Sequence, residues 1–316
     1  MATAFISSAK QVYPGARIDV IIKKDLLGIA ELIEGLNVVY PFSKNEYRGV
    51  RGTYRFGRLL MHEKYDLFFN LPASLSSVIM AWATGAKKTV GFKKEGGSFL
   101  LTSAFDKTLG LHRADQFVDL LEKYTGNTVH NREVSLSVIR PESVHKNRVL
   151  INFNSEASSR RMPPEKGVAI INALIGAFPD HLFTLLGSPK ESGFVEGIIE
   201  RAGKKDQIEN MAGKTSLAGL CNLMAGSAAL ISTDSGPAHL ANAVGTPVIV
   251  LFGAGDENNT SPYNRHNLTV IRYGKLACEP CLKNECKLYG IPKCLQLIDD
   301  LQIINSLKSF LSDKRA

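Results

Sequence analysis

The 316-residue chain has no apolar run long enough to span a bilayer, and no segment with the charged, apolar and cleavage regions of a signal peptide. A cytoplasmic location is therefore expected. There is no long run of like charge and no low-complexity tract. Aromatic-rich motifs of the kind that stack on nucleic acid are also missing, so no nucleic-acid partner is expected. No acidic pair with metal-ligand spacing stands out, and no cofactor is expected to be required.

What is present is a chain with 44% hydrophobic residues, enough for two buried cores. Its 38 basic and 30 acidic residues leave a net charge of +8. That excess suits an acidic partner: a nucleotide, a phosphorylated lipid or an anionic membrane surface. Short apolar strands alternate with amphipathic helices, the pattern of a parallel α/β sheet. Strands are predicted at 17–22, 38–40, 66–70 and 89–92, with helices at 4–12, 73–84 and 113–125. A polar break at 139–147 separates a second set. Its strands are at 149–153, 182–186, 228–232, 248–252 and 268–272, and its helices at 165–178, 191–202, 216–226, 237–244 and 299–311. The pattern predicts two Rossmann-like domains facing across a cleft, 1–146 and 147–298. The last helix, 299–316, carries Leu301, Ile304, Leu307 and Leu311 on one face and is expected to pack back toward the first domain. A doubly wound domain normally opens on a strand. Here a helix comes first, so the first domain is expected to lack its opening strand.

The most informative stretch runs from 230 to 253. A strand leads into a tight polar turn, Thr233 to Gly236, and then a short helix begun by Pro237. An acid, a hydroxyl and a glycine thus meet at a helix N-terminus, where unpaired amides and the helix dipole attract an anion, above all a phosphate. Gly236 permits close backbone approach, and Pro237 suits the first helical position because its missing N–H is not needed. His239 is one turn inside and can face the same ligand. A second strand end, after Phe153, carries a hydroxyl-rich loop with Arg160 and Arg161, closed by Pro163 and Pro164. Arginine grips phosphate in a fork. Two such loops at strand ends point to a diphosphate site.

Arg48, Arg51, Arg55 and Arg58 are spaced three, four and three apart. If that stretch is helical, they share a face suited to an anionic acceptor at a membrane surface. Gly49, Gly52 and Gly57 weaken the helix by about 1 kcal/mol each, leaving it mobile until bound. Four of the five cysteines, Cys278, Cys281, Cys286 and Cys294, cluster in sequence. In a reducing compartment such a cluster suggests a structural zinc or iron–sulfur site, with free thiols or a disulfide as alternatives.

Several runs resemble glycosyltransferase family 9, the bacterial heptosyltransferases: STDSGPAH at 232–239, GTP at 245–247, LFG at 251–253 and SPY at 261–263. RRMP at 160–163 is similar to the family's basic-basic-Trp-Pro loop, with Met162 in place of Trp. LGSPKE at 186–191 and GKTSL at 213–217 resemble its nucleotide-side segments. In the first half, YPGARIDV at 13–20, YDLFFN at 65–70, VGF at 90–92 and His112 follow in order. Asn70 stands where the family commonly has an acid.

The resemblance implies a GT-B fold and inverting transfer of heptose from ADP-heptose to a lipid A–core acceptor at the inner face of the cytoplasmic membrane. It implies that Ser155 and Arg160 hold the donor phosphates, that Asp234 contacts the sugar, and that Ser235, Gly236 and His239 line the pocket. Glu191 is then expected at the ribose or sugar and Thr215 at the adenine. The family's presumed catalytic base is an Asp in a Gly-Asp turn that precedes the first helix. No residue of this sequence matches it, so slow transfer or donor binding alone is expected. A sugar-nucleotide epimerase of the same fold and an inactive nucleotide-sugar-binding protein are the alternative readings.

Overall fold

The computed structural model describes residues 1–93, 97–130, 132–139 and 145–312. The chain divides into two compact units, Met1–Val134 and Ser135–Ala316. The division falls ahead of the polar break read from the sequence, of which residues 140–144 lie outside the described residues. Residues just past 134 already belong to the second unit: Leu136 is buried, and its N–H donates to the Ala243 carbonyl at 3.0 Å.

The first unit contains α1 (Ala2–Val12), β1 (Val20–Lys23), α2 (Leu27–Ala30), β2 (Val39–Phe42) and α3 (Gly49–Leu59). It continues with β3 (Leu67–Asn70), α4 (Leu75–Ala83), β4 (Lys88–Phe92), β5 (Ser103–Phe105) and α5 (Arg113–Thr125). Local chemistry sets these elements. Ser74 and Ser77 form a capping box that opens α4. Gly126, with φ of 73°, closes α5 in the left-handed region, where glycine pays no Cβ penalty. The strands form two parallel sheets, β1–β2 and β3–β4–β5. Pro41 is tolerated in β2 because that strand pairs on one side only. Among the described residues, β1 and β3 each keep one edge without a strand partner, and both line one cavity of about 1940 Å³, together with α1.

The arginine-bearing stretch is a helix as the spacing suggested, and two of its glycines, Gly52 and Gly57, have a packing role. A Cβ at Gly52 would overlap the Tyr47 backbone, and one at Gly57 would stand 2.5 Å from the Met80 carbonyl oxygen on α4. Close approach of α3 to α4 requires glycine at 57. Beside it, Phe56, Leu60 and Met80 form a buried cluster.

The second unit contains β6 (His145–Asn152), α6 (Pro164–Ala177), β7 (Leu182–Leu185), α7 (Ser192–Arg201), β8 (Ile208–Asn210), α8 (Leu217–Ala225) and β9 (Ser227–Thr233). Then follow α9 (Gly236–Ala243), β10 (Val248–Phe252), α10 (Glu257–Thr260), β11 (Leu268–Arg272), α11 (Lys293–Gln296) and α12 (Asp300–Ser312). Six parallel strands make one sheet in the order β11-β10-β9-β6-β7-β8. The middle strands are buried on both faces, so they read as continuous apolar runs such as Val248–Phe252. Strand order reverses between β6 and β9, where Asn152 pairs in register with Ser232.

Helix α12 buries Ile303, Ile304 and Leu307 in the core of the second unit. Leu301, expected on the buried face, is exposed. The apolar stripe is carried instead by Ile303, Ile304, Leu307 and Leu311, and at 3.6 residues per turn Leu301 falls to one side of it. Among the described residues no helix is long and apolar enough to cross a membrane.

Candidate functional site

In an open parallel sheet, a crevice forms outside the carboxyl ends of the strands where their order reverses, since the two adjoining connections leave toward opposite faces. In the second unit that point lies beyond Asn152 of β6 and Thr233 of β9. The loops bearing Ser155, Arg160, Asp234 and Ser235 begin there. Glu191 and Thr215 are on the loops after β7 and β8, at the same end of the sheet.

A polar network floors the crevice. Asn152 Nδ2 donates to Ser235 Oγ at 2.9 Å, to the Asn154 carbonyl at 3.1 Å and to Ser232 Oγ at 3.3 Å. Thr233 Oγ1 donates to the Asn154 carbonyl at 3.0 Å, and Ser235 Oγ to the Thr233 carbonyl at 3.1 Å. Ser235 is the N-cap residue of α9, but its hydroxyl is committed to this network and makes no cap bond. The mouth of α9 therefore stays open to an anion, with Pro237 in its first turn. Gly236 is exposed, while His239 is half-buried.

Arg160 stands across from this mouth, its Nη1 3.5 Å from Asp234 Oδ2. Its side chain is 36% exposed and that of Asp234 only 5%. Ser155 is buried, and its carbonyl accepts from Arg161 Nε at 3.2 Å and Nη2 at 2.9 Å. The second arginine of the pair is thus structural. Met162, which stands where the resembled loop has Trp, is fully buried in the core cluster. Glu191 accepts from the Ser188 N–H at 2.8 Å in a capping box, so part of its carboxylate is engaged in holding its own turn.

Asn152, Asn154 and Arg272 were not singled out from the sequence. The two asparagines carry a signal that could have found them: polar residues at the end of an apolar strand. Asn154 Oδ1 is buried and has no hydrogen-bond partner among the described residues. Arg272, at the end of β11, underpins the crevice. Its Nη1 donates to the Gly253 carbonyl at 2.7 Å, its Nη2 to the Gly255 carbonyl, and it pairs with Glu257. Gly255 leaves room for the Asp234 carboxylate, because a Cβ there would overlap Asp234 Oδ2 and force it to shift.

Burial pushes the Asp234 carboxyl above the usual aspartate range, with Arg160 and then Arg272 opposing the shift. An acid whose pKa rises on folding binds its proton more tightly in the folded state. Its contribution favours the fold while it is protonated and is lost as pH climbs from the ordinary aspartate value through the raised one. Asp234→Asn is therefore expected to melt at a higher temperature than the parent near about pH 7, with the gain narrowing toward about pH 4. A variant less stable at neutral pH, or a gain that grows on acidification, would contradict this.

The four arginines of the row lie on one element: Arg48 is the N-cap residue of α3, and Arg51, Arg55 and Arg58 are exposed on it. None forms an ion pair with a described residue, and Arg48 Nε donates to the Asn45 carbonyl at 3.2 Å. Cys278, Cys281 and Cys286 are half-buried, Cys294 is buried, and all are free thiols. Among the described residues no three His, Cys, Asp or Glu side chains form a group that could hold a metal ion.

A parallel sheet with an open helix mouth and an arginine at its switch point is the architecture of proteins that bind nucleotides and nucleotide-linked sugars. Residues 53–291 match glycosyltransferase family 9 (heptosyltransferase), and the chain belongs to that family. It is a glycosyltransferase, which sets the epimerase reading aside. The lipopolysaccharide core heptosyltransferase OpsX of Haemophilus influenzae is 24% identical, over 86% of this chain and 80% of that protein. The lipooligosaccharide heptosyltransferase 2 of Campylobacter jejuni is 29% identical, over 87% and 84%. Among solved structures, a family 9 glycosyltransferase from Veillonella parvula superposes with a TM-score of 0.83 at 19% identity, covering 98% of this chain and 92% of that one. The ADP-heptose lipopolysaccharide heptosyltransferase II of E. coli gives 0.80 at 19% identity, covering 100% and 95%. The fold is thus that of the GT-B heptosyltransferases.

Proposed function

We propose that this chain transfers heptose from ADP-heptose to the inner core of a lipopolysaccharide or lipooligosaccharide, working at the inner face of the cytoplasmic membrane. The observation that carries the reading is Arg160 facing Asp234 across the open mouth of α9 at the strand-order reversal. Relatives that act on lipopolysaccharide and lipooligosaccharide support the acceptor class.

In this reading Arg160 and the α9 amides take the donor diphosphate, with Ser155, Ser235, Gly236 and His239 around it. Asp234 then turns from Arg160 to the sugar hydroxyls. Glu191 and Thr215, on the neighbouring loops, meet the nucleoside. Departure of ADP places new negative charge on the diphosphate, and fixed positive groups aimed there lower the barrier without a bound metal. The Arg48, Arg51, Arg55 and Arg58 row binds phosphates of the acceptor at the lipid surface.

The reading is tested by mass spectrometry of a heptose-deficient lipopolysaccharide core after incubation with the protein and ADP-heptose. A gain of one heptose with release of ADP is expected. Isomerised ADP-heptose without acceptor, or donor binding with no product, would overturn it. Arg51→Ala with Arg55→Ala is expected to raise the acceptor KM about tenfold or more and leave ADP affinity unchanged. Equal loss on both sides would remove the arginine row from acceptor binding.

A further inference from the structure

The cysteine-rich segment after β11 is exposed and short of regular structure, yet it is tied to the crevice at two points. At one, the Leu282 N–H donates to the Ala254 carbonyl at 2.9 Å. Ala254 precedes Gly255, the residue packed against Asp234. At the other, Ser159 Oγ donates to the Lys283 carbonyl at 2.5 Å. The Ser159 N–H and Ser158 Oγ both donate to the Asn284 carbonyl, at 3.2 and 3.3 Å. Ser159 is 2% exposed and immediately precedes Arg160. Three consecutive residues therefore bond to both walls of the site. Leu282 holds this position in the left-handed region, with φ of 56°, a conformation that costs a leucine energy and persists only where surrounding bonds impose it.

We propose that Leu282–Asn284 is a strap that sets the placement of Arg160 relative to Asp234, with Ser159 as the positioning residue. Arg160 itself is anchored weakly: its one ion pair among the described residues is the 3.5 Å contact with Asp234. Its turn is a single 3-10 turn, Ser158–Arg160, too short to be rigid alone. The strap supplies the missing stiffness through backbone carbonyls, so its effect does not depend on the identity of the exposed Lys283 and Asn284 side chains. Its base is fixed below by Glu279, which accepts from the Gly274 N–H at 2.8 Å and approaches Arg272 at 3.6 Å. The thiols of Cys281 and Cys286 bracket the strap, which gives this segment a role that does not depend on how the thiols are bonded.

The inference rests on the donor-site reading above, and the experiment separates the two. ADP and adenosine are titrated by calorimetry into the full-length protein and into Ser159→Ala, Leu282→Pro, Leu282→Gly and Arg160→Ala. Donor and acceptor KM are measured in parallel. Proline removes the 282 N–H and cannot adopt a positive φ, whereas glycine keeps both features. Ser159→Ala and Leu282→Pro are expected to weaken ADP about fivefold to tenfold. They should raise the donor KM in proportion and lower kcat as well, leave the acceptor KM within about twofold, and leave adenosine unaffected. Leu282→Gly is expected to match the parent. Position 282 is exposed, so these two variants remain informative even if Ser159→Ala melts early. Unchanged ADP affinity in Leu282→Pro, while Arg160→Ala loses it, would overturn the strap. Equal loss of ADP and adenosine, or equal loss in Leu282→Gly, would do the same. Unchanged ADP affinity in Arg160→Ala would sink the donor-site reading itself.

Discussion

Arg160→Ala is expected to lower kcat/KM for the nucleotide-sugar donor about a hundredfold to a thousandfold. The guanidinium is 36% exposed and its partner Asp234 lies 3.5 Å away, a distance at which neither group is saturated. A diphosphate entering the crevice can take the arginine without breaking a strong bond. The other groups around the α9 mouth are amides, hydroxyls and the His239 imidazole, so removal of Arg160 takes away the one permanent cation assigned to the departing ADP. Lysine at 160 should recover only part of the loss, because an ammonium lacks the planar fork that spans two phosphate oxygens. Stability should also fall, though less than the rate, since Asp234 is left buried with only the more distant Arg272 opposing its charge. Steady-state kinetics with ADP-heptose, beside thermal melting, check both halves. A variant that keeps its rate, or one that loses rate by unfolding, would contradict the assignment.

Arg272→Ala should cost about 3–5 kcal/mol of unfolding free energy, the expected scale when one partner of a buried charge cluster is deleted. The side chain is 14% exposed and serves four groups: the carbonyls of Gly253 and Gly255 and the carboxylates of Glu257 and Glu279. The Glu279 side chain is 3% exposed, and its Oε1 already has no hydrogen-bond partner among the described residues. Without the guanidinium that carboxylate is left buried without its cation, and the turn under Asp234 loses two bonds. Urea unfolding at neutral pH gives the difference directly. A loss below about 1 kcal/mol would show that water takes over the role of Arg272.

The two predictions differ in how far they were legible beforehand. Arg160 announced itself as one of two adjacent arginines in a hydroxyl-rich loop between a strand and a proline-started helix. Arg272 did not: it is the last residue of a strand, and its partners at 253, 255, 257 and 279 come together only through the fold. Among the elements, the buried strands β6, β9 and β10 were visible as apolar runs. Strands β5 and β8 were not foreseen. Each has three residues, too few to show a period, and Glu209 of β8 faces Arg148 at 3.6 Å as an edge position allows. The face of α12 was misjudged by a fraction of a turn because Leu301 fits the same helical spacing as the buried residues while standing outside the core. The glycines of α3 were read through their helix propensity, whereas Gly57 answers to the Met80 backbone on another helix, which no local rule reveals.

A crystal structure of the protein with ADP bound gives the most direct test of where the diphosphate is held. The β-phosphate is expected within hydrogen-bonding distance of the Arg160 guanidinium and of the amides at the start of α9, beyond Asn152 and Thr233. Density for the diphosphate at any other place, with Arg160 still paired to Asp234, would contradict the account at its root.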